Sequence, residues 1–166
     1  MTDRAENNNI LSLGNLVIGY GARGLLPPLN ATAANSEMVA VIGRNGIGKS
    51  TLLRTIAGIQ KRVNGDIFIS GKELHDHSAS ELARSAGYLS TEIIRAGHMT
   101  VSELVALGRY PHTNWLGTLN HADMEVIENA LHATGLTSYR NRFVNEISDG
   151  ERQKAMIARI LAQDTS

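Results

Sequence analysis

The sequence predicts an α/β fold with an antiparallel portion and a helical subdomain, on three observations. The run MVAVIG, residues 38–43, is short, apolar and β-branched without polar alternation, as in a strand buried on both faces of a parallel sheet. A glycine-rich loop follows at once, and Leu52, Leu53, Ile56 and Ile59 then recur at the spacing of one helical face. Beyond Ala96 the character turns helical.

Taken in order, MTDRAENNN (residues 1–9) is polar and acidic where a secretory signal would be basic and then apolar, and reads as a flexible tail. LSLGNLVIGY (11–20) alternates in part and stops at the turn GYGARG, a strand that leaves Tyr20 at its end. The apolar stretch GLLPPLNATAANS carries two prolines and polar interruptions and does not read as a membrane span. In GDIFISGKEL, Ile67 and Ile69 alternate with Phe68 before the Ser70-Gly71 turn, a strand of the antiparallel portion. KELHDHSAS reads as a solvated loop, because His75 and His77 lack a third metal ligand. AGYLS (86–90) is expected as a further short strand. Thr100 and Glu103 form a capping box ahead of Leu104, Val105 and Leu107, and Gly108 and Pro111 end that helix. Asn120 opens a second helix with Val126, Ile127, Ala130 and Leu131 inward and Gly135 as its stop. A third starts at Ser148 and runs on through Ala155, Ile157, Ala158 and Leu161.

The 166 residues give room for one domain, or a core with a small subdomain. Sixteen basic residues balance sixteen acidic ones, so the global positive field of a non-specific nucleic-acid binder is missing, and no nucleic-acid partner is expected. Without cysteine there is no disulfide, thiol nucleophile or zinc–thiolate site, and a cytosolic setting is expected.

Gly43, Arg44, Asn45, Gly46, Ile47, Gly48, Lys49 and Ser50 match G-x-x-x-x-G-K-[ST] in full, with Thr51 continuing into the helix. Glycines let successive backbone N–H groups turn inward around phosphate oxygens, and the following helix aims the positive end of its dipole at the anion. Lys49 can reach the β- and γ-phosphates, and the Ser50 hydroxyl can ligate Mg²⁺. The expected ligand is a Mg-nucleoside triphosphate.

Downstream, Ile147-Ser148-Asp149-Gly150-Glu151-Arg152-Gln153 resembles the signature of ABC transporters, and GRNGIGKSTLLRTIAG resembles their version of the phosphate loop. Physically, Ser148 and Glu151 form a capping box that leaves Gly150 at a helix N-terminus, a second place for an anion. MTVSELVALGRYPHTNWL resembles the helical subdomain of importer ATPases for iron-siderophore, haem and cobalamin. The likeness implies an ABC ATP-binding domain over residues 10–166, with its helical subdomain at about 95–150. It implies ATP and Mg²⁺ as cofactors, Tyr20 stacking on adenine, and a second ABC copy whose phosphate loop meets Ser148, Asp149, Gly150 and Glu151 in trans. It further implies transmembrane permease subunits, a substrate-binding protein acting indirectly, and a peripheral place on the cytoplasmic side of the plasma (inner) membrane. An importer of an iron chelate, haem or cobalamin is the function expected. A soluble ABC ATPase without a permease and an inactive nucleotide-binding fragment are the alternatives.

The chain departs from the family's pattern in three places. Thr91, followed by Glu92, stands where the family has a glutamine that contacts Mg²⁺ and the attacking water. Asp149 replaces a signature glycine, and its carboxylate is expected to turn away from the anion. The family's Mg-binding aspartate, catalytic glutamate and switch histidine would follow Ser166, so the α/β fold is expected to be incomplete at the C-terminus and this chain alone inactive.

Overall fold

The structure is a computed structural model and describes residues 9–90 and 98–165. It divides into two units, Met1–Ser85 and Ala86–Ser166. The expected tail lies outside the described residues except for Asn9, which pairs with Ala34.

The first unit is organised on β1 (Asn9–Val17), the central strand by composition and by pairing. The pairing shifts register between Leu13 and Leu16, where Asn15 takes a left-handed conformation (φ 46°) and its backbone N–H donates to Asn30 Oδ1 at 2.8 Å. The shift reverses the inside–outside phase, which lets both Leu13 and Leu16 be buried although Leu16 lies three positions after Leu13, an odd offset that would otherwise put them on opposite faces. Beside β1 lie β4 (Leu29–Ala34) and β5 (Asn64–Ile69), and β6 (Lys72–Glu73) extends the sheet in the order β4-β1-β5-β6, all antiparallel. Between β1 and β4, β2 (Gly19–Tyr20) and β3 (Arg23–Gly24) form a hairpin of their own. Helix α1 (Lys49–Ile56) follows the phosphate loop, and α2 (Ala79–Ser85) follows β6 and a 3₁₀ turn at Leu74–Asp76.

Two sequence expectations in this unit fail. Residues 38–43 form no strand: Met38 is 97% exposed and Ile42 92%, because among the described residues no neighbouring strand takes up their backbone donors and acceptors. The strand expected to reach Tyr20 instead ends at Val17, and Tyr20 belongs to the separate hairpin. The sequence reading also passed over β4 and α2. Ser78 and Glu81 are the signal for α2: Glu81 N–H donates to Ser78 Oγ at 3.2 Å while Ser78 N–H donates to Glu81 Oε2 at 2.7 Å. That backbone donor, with Lys72 beside it, holds the Glu81 carboxyl down at about 2. KELHDHSAS is therefore partly structured, and His77 is half-buried with its Nε2 3.3 Å from Lys72 O.

The second unit is helical. α3 (Val101–Ala106) carries the expected Thr100–Glu103 box, α4 (His121–Ala133) opens at Asn120, and α5 (Asp149–Gln163) opens at Ser148. Their apolar faces meet in one core that includes Val101, Leu104, Ile127, Leu131 and Ala158. Each fully buried large side chain there contributes about 1.5–3 kcal/mol. Residues 86–90, expected as a strand, have no strand structure, again for want of a pairing partner among the described residues.

The GRYPH segment lies in a 3₁₀ turn, Leu107–His112, and each end of it serves packing. A Cβ on Gly108 would stand 2.2 Å from Arg159 O, so only glycine lets the turn approach α5 this closely. Arg109 is 7% exposed, and its Nε donates to Asp123 Oδ1 at 2.9 Å and its Nη1 to Ala162 O at 3.0 Å. His112 Nε2 lies 2.8 Å from Gln163 O. One guanidinium thus joins the turn, the start of α4 and the end of α5.

Candidate functional site

The phosphate loop brings Gly43, Arg44, Asn45, Gly46 and Ile47 to an exposed turn that ends at Gly48, the N-cap of α1. Gly48 sits at φ 111°, a conformation that side-chain-bearing residues rarely adopt, and Gly46 at φ 82°. No side chain caps α1 and its first turn has no acidic residue, so the positive end of the helix faces the loop without competition. Lys49 folds back over this turn, donating from Nζ to Gly43 O at 2.7 Å and to Arg44 O at 2.9 Å. Ser50 is exposed on the first turn of α1, whereas Thr51 beside it is buried. The arrangement offers an anion backbone N–H groups, a helix dipole and one ammonium, with a hydroxyl free to join a metal ion.

The β2–β3 hairpin is held against the same helix start. Leu25 N–H donates to Ile18 O at 2.9 Å, closing the hairpin's base. Gln60 Nε2 donates to Gly19 O at 2.6 Å. Ile18 and Leu25 side chains lie 3.4 and 3.7 Å from where a Cβ on Gly48 would be. Tyr20, 61% exposed, places its hydroxyl 3.4 Å from Thr51 Oγ1 in the first turn of α1. Thr51 is itself anchored through its carbonyl, which accepts from Thr55 Oγ1 at 2.7 Å. The sequence reading named Tyr20 but missed Gln60, and nothing local could have revealed a partner forty-one residues away in sequence.

In the second unit, Ser148 caps α5. Glu151 N–H donates to Ser148 Oγ at 3.3 Å, and Ser148 N–H and Oγ each donate to Glu151 Oε2 at 2.8 Å. The Tyr139 hydroxyl and this cap hold the Glu151 carboxyl below its ordinary value, and Glu151 in turn raises the Tyr139 phenol. Asp149 Oδ1 is drawn to Arg152 Nη1 at 2.5 Å, and Arg152 also donates to Val144 O and Ile147 O. Gly150 faces open space, with nothing within 4 Å of where its Cβ would be. Thr91 and Glu92 lie outside the described residues.

A phosphate loop built this way occurs in many nucleotide-binding families, and comparison decides among them. The family model described as ABC transporter matches residues 26–166. The chain belongs to the ABC transporter family. Its α/β fold with a phosphate-loop core comes with that membership. The iron(3+)-hydroxamate import ATP-binding protein of Bacillus subtilis is 38% identical over 95% of this chain and 58% of its own length. The ferric enterobactin transport ATP-binding protein of Escherichia coli is 37% identical over 91% of this chain and 56% of its own. Among solved structures, an ABC transporter assigned to the metal-chelate type, in an inward-facing conformation, matches with a TM-score of 0.78 at 30% identity, over 95% of this chain and 57% of the other. This ABC chain thus spans a little over half the length of the curated relatives it matches. Among its described residues no helix is long and apolar enough to cross a membrane.

Proposed function

We propose that this chain is the nucleotide-binding portion of an ABC importer ATPase, which couples the binding and hydrolysis of ATP to uptake of an iron chelate, haem or cobalamin. The carrying observation is the loop at residues 43–50 closing on an uncapped helix, with Lys49 folded over two of its carbonyls. A phosphate would replace those carbonyls as the partner of the ammonium, a charge-assisted exchange. Mg²⁺ suits the donors here, since it prefers a few oxygen ligands together with substrate phosphates and water, and Ser50 supplies one exposed hydroxyl. Tyr20 would stack on the adenine. Ser148, Gly150 and the start of α5 would meet the phosphate held by a second copy of the chain, with Asp149 kept aside by Arg152. Permease subunits, a substrate-binding protein and a peripheral place on the cytoplasmic side of the membrane belong to the same reading. The names of the iron-chelate relatives favour it over an ABC ATPase without a permease.

Titration calorimetry with Mg-ATP tests it. Lys49→Ala should weaken binding about ten- to 150-fold, the worth of charge-assisted hydrogen bonds of about 1.5–3 kcal/mol. Equal affinity in parent and variant would remove the phosphate-loop assignment.

A further inference from the structure

We infer that Arg152 is a positioning residue whose hold on Asp149 keeps the start of α5 open to the phosphate of a second copy, an inference that rests on the reading of that helix start given above. A helix begins with four backbone donors that lack a partner inside the helix, and here two of them are already taken. Glu151 N–H donates to Ser148 Oγ and Arg152 N–H to Ser148 O. The N–H groups of Asp149 and Gly150 have no partner among the described residues, and Gly150 opens on empty space. An anion arriving at α5 would accept from these two donors.

One of the two belongs to a residue that itself carries an anion. Asp149 stands where the family's pattern has glycine, and its side chain is 85% exposed. The helix end that attracts a phosphate attracts this carboxylate equally. Left to itself, the Asp149 side chain is an anion tethered beside both donors, in competition with any phosphate that approaches.

Arg152, three residues on, draws the carboxylate off: its Nη1 donates to Asp149 Oδ1 at 2.5 Å. The guanidinium is not free to swing with its partner. Its Nε donates to Val144 O at 3.1 Å and its Nη2 to Ile147 O at 3.0 Å, and the side chain is only 18% exposed. Two sides of the planar fork are thus fixed to the chain that leads into α5, and the third holds Asp149. All three nitrogens are engaged, so Arg152 acts through Asp149 and does not itself meet the phosphate. The two residues form a coupled pair, in which the arginine makes the aspartate tolerable at this position.

Sedimentation velocity of the full chain with Mg-ATP, on single and double variants, tests the coupling. Arg152→Gln keeps a donor for the two carbonyls but gives up the charge that holds Asp149, and should weaken ATP-driven self-association about five- to tenfold. Adding Asp149→Asn should restore it, a rescue that a role in packing alone would not allow. The loss in Arg152→Gln should also shrink in about 1 M salt, where the Debye length falls to about 3 Å and the exposed carboxylate is screened. Association of Arg152→Gln equal to the parent's overturns the inference. So does a loss that Asp149→Asn fails to restore, whether or not the melting temperature falls with it, because Arg152 then acts through the carbonyls. If the parent does not associate with ATP, or Gly150→Val associates as the parent does, the reading of the helix start falls and takes this inference with it. A Gly150-dependent parent that Arg152→Gln leaves unaltered removes this inference alone.

Discussion

Asp123→Ala should cost the second unit about 4–6 kcal/mol, and the structure supplies both parts of that figure. Asp123 is 2% exposed; its Oδ1 accepts from Arg109 Nε at 2.9 Å and its Oδ2 from Asn120 N–H at 3.0 Å. Removing one partner of a buried ion pair leaves the other charge uncompensated, a loss of about 3–5 kcal/mol. Losing the return half of the Asn120 capping box adds about 1 kcal/mol. Against a typical domain stability of about 5–15 kcal/mol the sum is large. Arg109 retains Ala162 O, but its contact with Asp164 Oδ2 is 3.7 Å long and exposed, so little compensates. Urea unfolding followed by far-ultraviolet circular dichroism would read the loss. Arg109→Met combined with Asp123→Leu should recover more than half of it, because apolar side chains of similar volume remove both charges together. The pair also fixes the acid limb. The Asn120 N–H first, and the Arg109 guanidinium after it, hold the Asp123 carboxyl below its ordinary 3.8 although burial pushes the other way. A carboxyl lowered on folding contributes its full stability above pH 3.8 and loses it as pH falls through the folded value. The parent should therefore lose stability below about pH 4 more steeply than Asp123→Ala. A cost under about 1 kcal/mol, with parallel acid limbs, would refute the reasoning, since such a pair would behave like one in water.

Three further outcomes are expected. Tyr20→Ala should weaken ATP by about 1–3 kcal/mol while Tyr20→Trp keeps most of the affinity, as for a base stacked on an aromatic ring; a parallel loss of tripolyphosphate binding would make Tyr20 a packing residue only. Gly150→Val enters open space, so melting and ATP affinity should be retained while ATP-driven self-association is lost; unchanged association in size-exclusion chromatography would count against the signature role. Gly108→Ala, whose Cβ would meet Arg159 O at 2.2 Å, should lower the melting temperature by a cost of about 1–3 kcal/mol, and an unaltered melt would show that the turn does not need its close approach to α5.

What the sequence by itself determined were features whose partners lie within one turn of chain. The phosphate loop is legible because eight consecutive residues carry its geometry, and the caps at Thr100 and Ser148 because their partners sit three positions on. The same logic reached Asn120, and would have reached Ser78 and Glu81 had that spacing been weighed above the polarity of the segment. Family membership followed from two such local strings. Tertiary structure decided the rest. MVAVIG has the composition of a core strand, yet a strand exists only where another supplies hydrogen-bond partners, and among the described residues none reaches it. β4 forms from a stretch broken by prolines because β1 offers it a ladder, the reverse case. Arg109 looks like part of a surface corner until α4 and α5 close over it, and Tyr20 gains its place only when Thr51 and Gln60 fold against its hairpin. Composition and short spacing fix what each segment can do alone, while burial and pairing depend on residues far along the chain, which no local pattern records.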